Sequence, residues 1–139
     1  MFDLDQDEVL GVTPSPQVYI AVRAVEEGGP FRVIAAAGYD EDEEALLLNQ
    51  EVANGTTVAE QVLSTGEPLT KDDLEYDDRP RGVGPKVASA LAVPIYYEAQ
   101  VIGVVNLHSI QPHLFNRDAL EFARAVADQI ALAIGNEER

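Results

Sequence analysis

His108 and Ser109 are adjacent residues whose side chains could act as a general base and a nucleophile. They end an apolar run that begins at Val101 and whose β-branched residues predict a strand. A serine nucleophile must lie within about 2.6–3.2 Å of its base. Successive side chains of a strand point to opposite faces of the sheet, so these two cannot meet. The sequence therefore predicts that the chain is not an enzyme that uses this pair.

Other reactive groups are scarce in the 139 residues. The chain has no cysteine, which excludes disulfides, thiolate metal sites, thiol nucleophiles and thioether-linked chromophores. Only two histidines are present, His108 and His113, and His113 follows a proline in a predicted loop. We expect no metal site and no catalytic residue.

The charge balance is strongly acidic, with 25 acidic against nine basic residues and a net charge of −16. Such a field repels the phosphates of nucleic acids and of anionic membranes, which bind clustered Lys and Arg. No uncharged run is apolar enough for a membrane span, which needs about 20 residues. We expect a cytoplasmic protein that binds neither nucleic acid nor membranes.

Hydrophobic patterns predict four strands and three helices in the order β-β-α-α-β-β-α. Thr57 and Glu60 have the spacing of a capping box, Gly66 fits the end of that helix, and Asn116 fits an N-cap. The predicted strands cover 17–25, 31–38, 87–97 and 101–109, and the predicted helices cover 43–48, 56–66 and 116–136. This order is typical of an α+β domain with an antiparallel sheet.

The strand that ends at Ser109 has two different faces. Val101, Gly103, Val105 and Leu107 form an apolar face that suits a closely packed helix, whereas Asn106 lies on the other face with Ile102, Val104 and His108. A buried polar side chain such as Asn106 needs a hydrogen-bond partner. Its face can line a small-molecule pocket under the looped middle section. Alternatively, Asn106 and Ser89 only hydrogen-bond the covering loop.

Three segments resemble the consensus of the GAF domain family. They are "GTTVAEQVLSTGEPL", "GVGPKVASALAVPIYYEAQVIGVVNLHS" and "HLFNRDALEFARAVADQIALAIGN", which occur in the family's order and spacing. The resemblance implies a GAF-like central antiparallel β-sheet, with terminal helices on one face and a looped, helical lid over a pocket on the other. It also implies a sensory or regulatory module, as in two-component systems. Because the sequence offers no catalytic constellation, we expect that the chain is not an enzyme.

Departures from the family's motifs narrow the expected ligand. The bilin-carrying members and the free methionine sulfoxide reductases need cysteines, so neither covalent bilin nor that activity is expected. The cyclic-nucleotide signature is not matched, because Ser109 and Ile110 replace its Asn-Lys pair and Ala119 replaces its final acid. Haem is not expected either, since His108 and His113 are the only available ligands.

The resemblance and the strand faces together indicate a ligand site on the sheet and its lid. The residues expected there are Tyr76, Ser89, Leu91, Val104, Asn106, Thr56 and Thr57. The helix start at Thr56–Thr57 offers backbone N–H groups to an anion. The acidic residues of the loop at 72–78 oppose a phosphate, which favours neutral or weakly polar ligands.

Small residues recur every four positions along the last helix, at Ala123, Ala127, Ala131 and Gly135. They predict either close packing on the sheet beside Gly103 or a helix–helix contact in a homodimer, the family's usual arrangement.

The resemblance divides the chain into three parts. Residues 1–16 are predicted to be an acidic stub or a reduced first helix, 17–136 a single GAF-like domain, and 137–139 a tail leading to a further segment. We expect a small molecule to bind and the dimer's helices to signal to a covalently linked kinase, cyclase or transcription regulator. The alternative is a dimerisation or interaction module whose pocket is filled by its own side chains.

Overall fold

A computed structural model describes residues 16–24, 28–52 and 55–138. In chain order, its elements are β1 (Gln17–Ala24), β2 (Gly28–Ala37), α1 (Glu41–Leu47), β3 (Glu51–Val52), α2 (Val58–Thr65), β4 (Leu69–Lys71), a 3-10 turn (Pro80–Gly82), β5 (Ser89–Tyr97), β6 (Gln100–Ser109) and α3 (Arg117–Glu138). The strands form one antiparallel sheet in the order β3-β2-β1-β6-β5-β4. The predicted α+β class is therefore confirmed. The acidic stub or reduced first helix predicted for residues 1–16 lies outside the described residues, apart from residue 16.

The local signals for helix ends are confirmed at α2. Thr57 and Glu60 form the predicted capping box, and Gly66 adopts the left-handed conformation at φ 73°. The helix α1 begins two residues earlier than predicted, because Asp40 and Glu43 form a second capping box. The short edge strands β3 and β4 were not predicted, since two or three residues carry no readable alternation.

The two faces of the sheet are packed by complementary sizes of side chain. On one face, the small residues Ala90 and Ala92 of β5 lie in the same cluster as Val58 and Val62 of α2. On the other face, Leu91 and its apolar neighbours pack against the alanines of α3. Large side chains on one element thus meet small ones on the other, which lets the helices approach the sheet closely.

The alternation predicted for β6 is wrong at its start because the strand contains a bulge. Ile95 pairs with Gly103 and Tyr96 pairs with Val101, so Ile102 has no partner on β5. The extra residue reverses the faces, so that Ile102 joins the α3 layer and Val101 the α2 layer. At Gly103 itself, an added Cβ would collide with the carbonyl of Ala21, so glycine permits the close approach of β1.

The small residues of α3 face the sheet. Ala123 and Ala127 are buried in the α3 layer, and Ala131 packs against its edge. A Cβ at Gly135 would lie 2.9 Å from the ring of Tyr97, so this glycine lets the helix approach β5. Asn116 caps the helix by accepting a hydrogen bond from the Ala119 amide at 3.0 Å.

The β5–β6 turn generates a prediction. Glu98 and Ala99 both have positive φ, 49° and 66°, as a type I′ turn requires. Left-handed backbone costs a residue with a Cβ about 1–2 kcal/mol, so Ala99→Gly should raise the free energy of unfolding by about 0.5 kcal/mol after the entropic cost of glycine is subtracted. Urea denaturation measures this change. The control Ala125→Gly, in the middle of α3, should instead lower stability by about 1 kcal/mol, and a loss in both variants would contradict the prediction.

Candidate functional site

A buried polar cluster lies on the α2 face of the sheet and consists of Asp78, Asn106 and His108. Nε2 of His108 is 2.7 Å from Oδ2 of Asp78 and 3.1 Å from Nδ2 of Asn106. All three side chains are almost completely buried. A carboxylate in such surroundings needs close partners, and the imidazole supplies one.

The distances restrict where the protons of this cluster lie. An ionised Asp78 accepts only, so Nε2 of His108 must carry the proton that joins the two. Nε2 then cannot accept from the amide of Asn106. Turning that amide by a half-turn places Oδ1 beside Nε2 and gives a second acceptor. Even after this turn, the amide nitrogen of Asn106 takes the place of the oxygen that has no hydrogen-bond partner among the described residues.

Asp78 also holds the N-terminus of α2. Its Oδ1 accepts a hydrogen bond from the amide of Val58 at 2.8 Å. A carboxylate at this position satisfies a backbone donor and interacts favourably with the helix dipole. One side chain from the loop between β4 and β5 therefore ties this loop to both α2 and β6.

A cavity of about 300 Å³ adjoins Asp78 on the same face of the sheet. We call it the sheet-side cavity; it is lined by Tyr19, Val33, Leu47, Gln50, Glu51, Val52, Thr57, Glu60, Asp78, Arg79, Pro80 and Arg81. Its floor is formed by buried apolar residues of the sheet and α1, whereas its polar residues come from α2, β3 and the 3-10 turn. An apolar cavity with a few convergent polar groups is the usual form of a small-molecule site.

Two tyrosine hydroxyls in this region have no hydrogen-bond partner among the described residues. Tyr19 lines the cavity and is 3% exposed, and its hydroxyl makes no hydrogen bond within the described part of the chain. Burial, followed by the proximity of Tyr39, Asp78 and Glu60, raises its pKa well above the ordinary value. The hydroxyl of Tyr39 is buried and also lacks a partner among the described residues, and burial raises its pKa as well.

The mouth of the cavity carries two arginines with different partners. Arg79 donates from Nε and Nη2 to the two oxygens of Asp77, both at 2.9 Å, and this hydrogen bonding lowers the pKa of Asp77 to about 2. Arg81 has a left-handed backbone at φ 52° and donates from Nη2 to the carbonyl of Glu51 at 3.3 Å. This last contact joins the 3-10 turn to β3 across the mouth.

The predicted site residues do not form one group. Among them, Thr57 lines the sheet-side cavity, and Asn106 reaches it only through His108 and Asp78. Val104 is in the core of the same layer. Thr56 is exposed and contributes its carbonyl to Gln61.

Three of the predicted residues lie elsewhere. Leu91 belongs to the α3 layer, and Ser89 donates to the carbonyl of Gln111 at 2.6 Å. Neither residue shares the face of Asn106, because Asn106 pairs with Ala92 and cross-strand partners share a face. Tyr76 is 40% exposed and lines a surface groove with Leu74 and Lys86, not the sheet-side cavity.

Sequence reasoning missed Asp78, which it grouped with the other acids of the loop. The available signal was indirect: Asn106 and His108 lie on one face of an otherwise apolar strand, so each needed a partner from another element. No feature of the loop distinguishes Asp78 from Asp77, although Asp77 is largely exposed and Asp78 is buried. No group of three or more potential metal ligands occurs among the described residues.

Comparison with known proteins identifies similar chains. The family model described as "GAF domain" matches residues 6–135. Among solved structures, the GAF domain of a phosphoenolpyruvate-protein phosphotransferase from Coxiella burnetii has a TM-score of 0.71 at 18% identity, over 95% of this chain and 77% of that chain. The type II free methionine-R-sulfoxide reductase from Thermoplasma acidophilum has 0.68 at 18%, over 88% and 81%. Among curated protein sequences, none matches.

A domain of a putative two-component sensor histidine kinase from Sinorhizobium meliloti 1021 is also similar, with a TM-score of 0.58 at 18% identity, over 98% of this chain and 93% of that chain. At such identities these structures share the fold with this chain. Within the described ranges, no helix is both long and apolar enough to cross a membrane.

The role of Asp78 generates a second prediction. Asp78→Ala leaves the buried His108 and the Val58 amide without their shared partner, and should lower the free energy of unfolding by about 3 kcal/mol. Asp78→Asn should cost less, because its amide can still accept from Val58 and donate to a neutral imidazole. Urea denaturation measures both. The matched control Asp77→Ala should cost less than about 1 kcal/mol, since that ion pair is exposed; equal losses at 77 and 78 would contradict the prediction.

Proposed function

Because this chain belongs to the GAF domain family, we propose that it is a non-catalytic sensory module that binds a small molecule in the sheet-side cavity. Binding is transmitted through the sheet and α3 to an output domain in the same protein. Such an output domain is a kinase, a cyclase or a transcription regulator. The module acts in the cytoplasm and binds neither nucleic acid nor membranes.

The sheet-side cavity is the observation that carries this proposal. It combines a buried apolar floor, formed by Val33, Leu47 and Val52, with the hydroxyl of Tyr19 and the carboxylate of Asp78. Other grooves of similar volume are lined mainly by exposed side chains, such as Leu132 and Glu98 near the end of α3. A ligand gains most from a site that removes it from water, which favours the sheet-side cavity.

A non-catalytic role is favoured over the activity named for the Thermoplasma structure. Sulfoxide reduction by a thiol needs a cysteine, and the 139 residues contain none. The described histidine that could act as a base, His108, is buried against Asp78 and Asn106 and does not line the cavity. The site therefore favours binding over turnover.

Transmission is proposed to run through the outer face of α3. Phe122 and Leu132 are 63% and 68% exposed on this helix, although its small residues are turned towards the sheet. Large apolar side chains that are exposed gain free energy when a contact buries them. A homodimer that pairs the α3 helices through these residues would carry a change in the sheet to the C-terminal side of the domain.

Filling the cavity tests the binding proposal. Val52→Trp should occupy the space above the floor and abolish retention of small molecules from a bacterial cell extract, as measured by native mass spectrometry. The control Ile34→Trp adds the same side chain at an exposed position of β2 and should retain the bound mass of the wild-type protein. Thermal melting checks that both variants fold.

Two outcomes contradict the binding proposal. If Val52→Trp folds and keeps the same bound mass, the ligand lies outside the sheet-side cavity. If the wild-type protein retains nothing from extracts at any concentration tested, the interaction module without a ligand becomes the better description.

The dimer is tested on the outer face of α3. Phe122→Asp combined with Leu132→Asp should shift the protein from dimer to monomer in sedimentation equilibrium, because each carboxylate would be desolvated in the contact. Ile110→Asp, at an exposed position outside α3, should leave the dimer unchanged. A wild-type monomer, or a dimer unaffected by the double substitution, would refute this arrangement.

A further inference from the structure

We propose that the sheet-side cavity selects small molecules that carry a protonated amine on an apolar body. This inference deepens the proposed function and rests on it. It concerns the chemical class of the ligand, which is set by the carboxylates and the tyrosine hydroxyl that line the cavity.

Three carboxylates line the cavity, those of Glu51, Glu60 and Asp78. Glu51 is exposed and lies 3.9 Å from Arg32, whereas Glu60 is partly buried and Asp78 is buried. Oε1 of Glu60 accepts from the Thr57 amide at 3.1 Å as part of the capping box. Its Oε2 makes no hydrogen bond within the described part of the chain and is free to accept one from a ligand. A carboxylate beside a partly buried apolar surface favours a donor that also carries positive charge.

The start of α2 does not offer an anion the free backbone N–H groups that its sequence suggested. The amide of Val58 donates to Asp78 at 2.8 Å, and the amide of Glu60 donates to Thr57 at 3.2 Å. Side chains of the protein thus use donors that an anion would need. Two negative charges beside these amides also repel a phosphate or a carboxylate.

The hydroxyl of Tyr19 is an independent observation that indicates a ligand. This residue is only 3% exposed and lines the cavity, and its hydroxyl has no hydrogen-bond partner within the described residues. Tyr19, Asp78 and Glu60 all line this one cavity. An ammonium group has three donors and no acceptor, which matches one hydroxyl oxygen and two carboxylates.

The arginines at the mouth do not cancel this preference. The charge of Arg79 is balanced by Asp77, to which it donates two hydrogen bonds. Arg81 lies on the 3-10 turn and donates a hydrogen bond to the Glu51 carbonyl. Its side chain is exposed, so solvent and salt screen its charge. The apolar body of the ligand would lie over Val33, Leu47 and Val52.

The test compares three probes of nearly equal shape: n-pentylamine, 1-pentanol and pentanoate. Amide resonances of the ¹⁵N-labelled protein are titrated at neutral pH and moderate salt, which screens the general attraction of the acidic chain for cations. We expect n-pentylamine to shift the resonances of residues that line the cavity, such as Tyr19 and Thr57. Its dissociation constant should be at least about tenfold lower than those of the other two probes.

Variants locate the amine. Glu60→Gln keeps the capping box, because Gln can also accept from the N-cap amide, and should weaken n-pentylamine binding about tenfold without a large change in melting temperature. Glu67→Gln removes the same charge from an exposed position beyond the other end of α2 and should leave binding unchanged.

The outcomes separate the two proposals. If pentanol or pentanoate binds in the cavity as tightly as the amine, or if Glu60→Gln binds the amine as the wild type does, the inference is overturned while a ligand-binding module stands. If none of the three probes shifts the cavity resonances, the inference is overturned, and the measurement of molecules retained from extracts decides the binding proposal separately.

Discussion

The hydrogen bonds of Asp78 are the interaction on which the arrangement of this face of the domain depends. The carboxylate accepts from His108 on a central strand and from the first amide of α2, while its own backbone belongs to the loop between β4 and β5. Helix, sheet and loop therefore meet at one buried charge. The cavity exists because these three elements are held at fixed distances without filling the space between Asp78 and α1.

Few backbone hydrogen bonds otherwise hold the loop around Asp78. The amide of Leu74 donates to Ala88, and the amide of His113 donates to Asp72. Arg79 is fixed by Asp77, and Arg81 reaches β3 through a single bond at 3.3 Å. Any ligand that competes for Asp78 would thus act on the same contact that positions α2, and occupancy of the cavity would be felt at the helix start.

Much of the fold could be predicted from local signals in the sequence, but the site could not. Thr57, Glu60 and Gly66 define α2 because capping depends on neighbours in the chain. The alternation along β5 shows that its two faces differ, but it does not show which face packs against which helix. Leu91 could therefore not be placed from the sequence, and its position follows from its packing against the alanines of α3. The bulge at Ile102 and the burial of Asp78 depend on contacts far apart in sequence, and no local pattern encodes them.

The edges of the sheet have a consequence for how copies of this chain meet. The outer strands β3 and β4 have only two and three residues, and the exposed residues Glu51 and Lys71 place charge on them. Short, charged edges give another chain little backbone to pair with, which protects a wide sheet against strand-by-strand aggregation. Growth of the sheet from one molecule into the next through these edges is therefore disfavoured, so a contact between copies must use another surface.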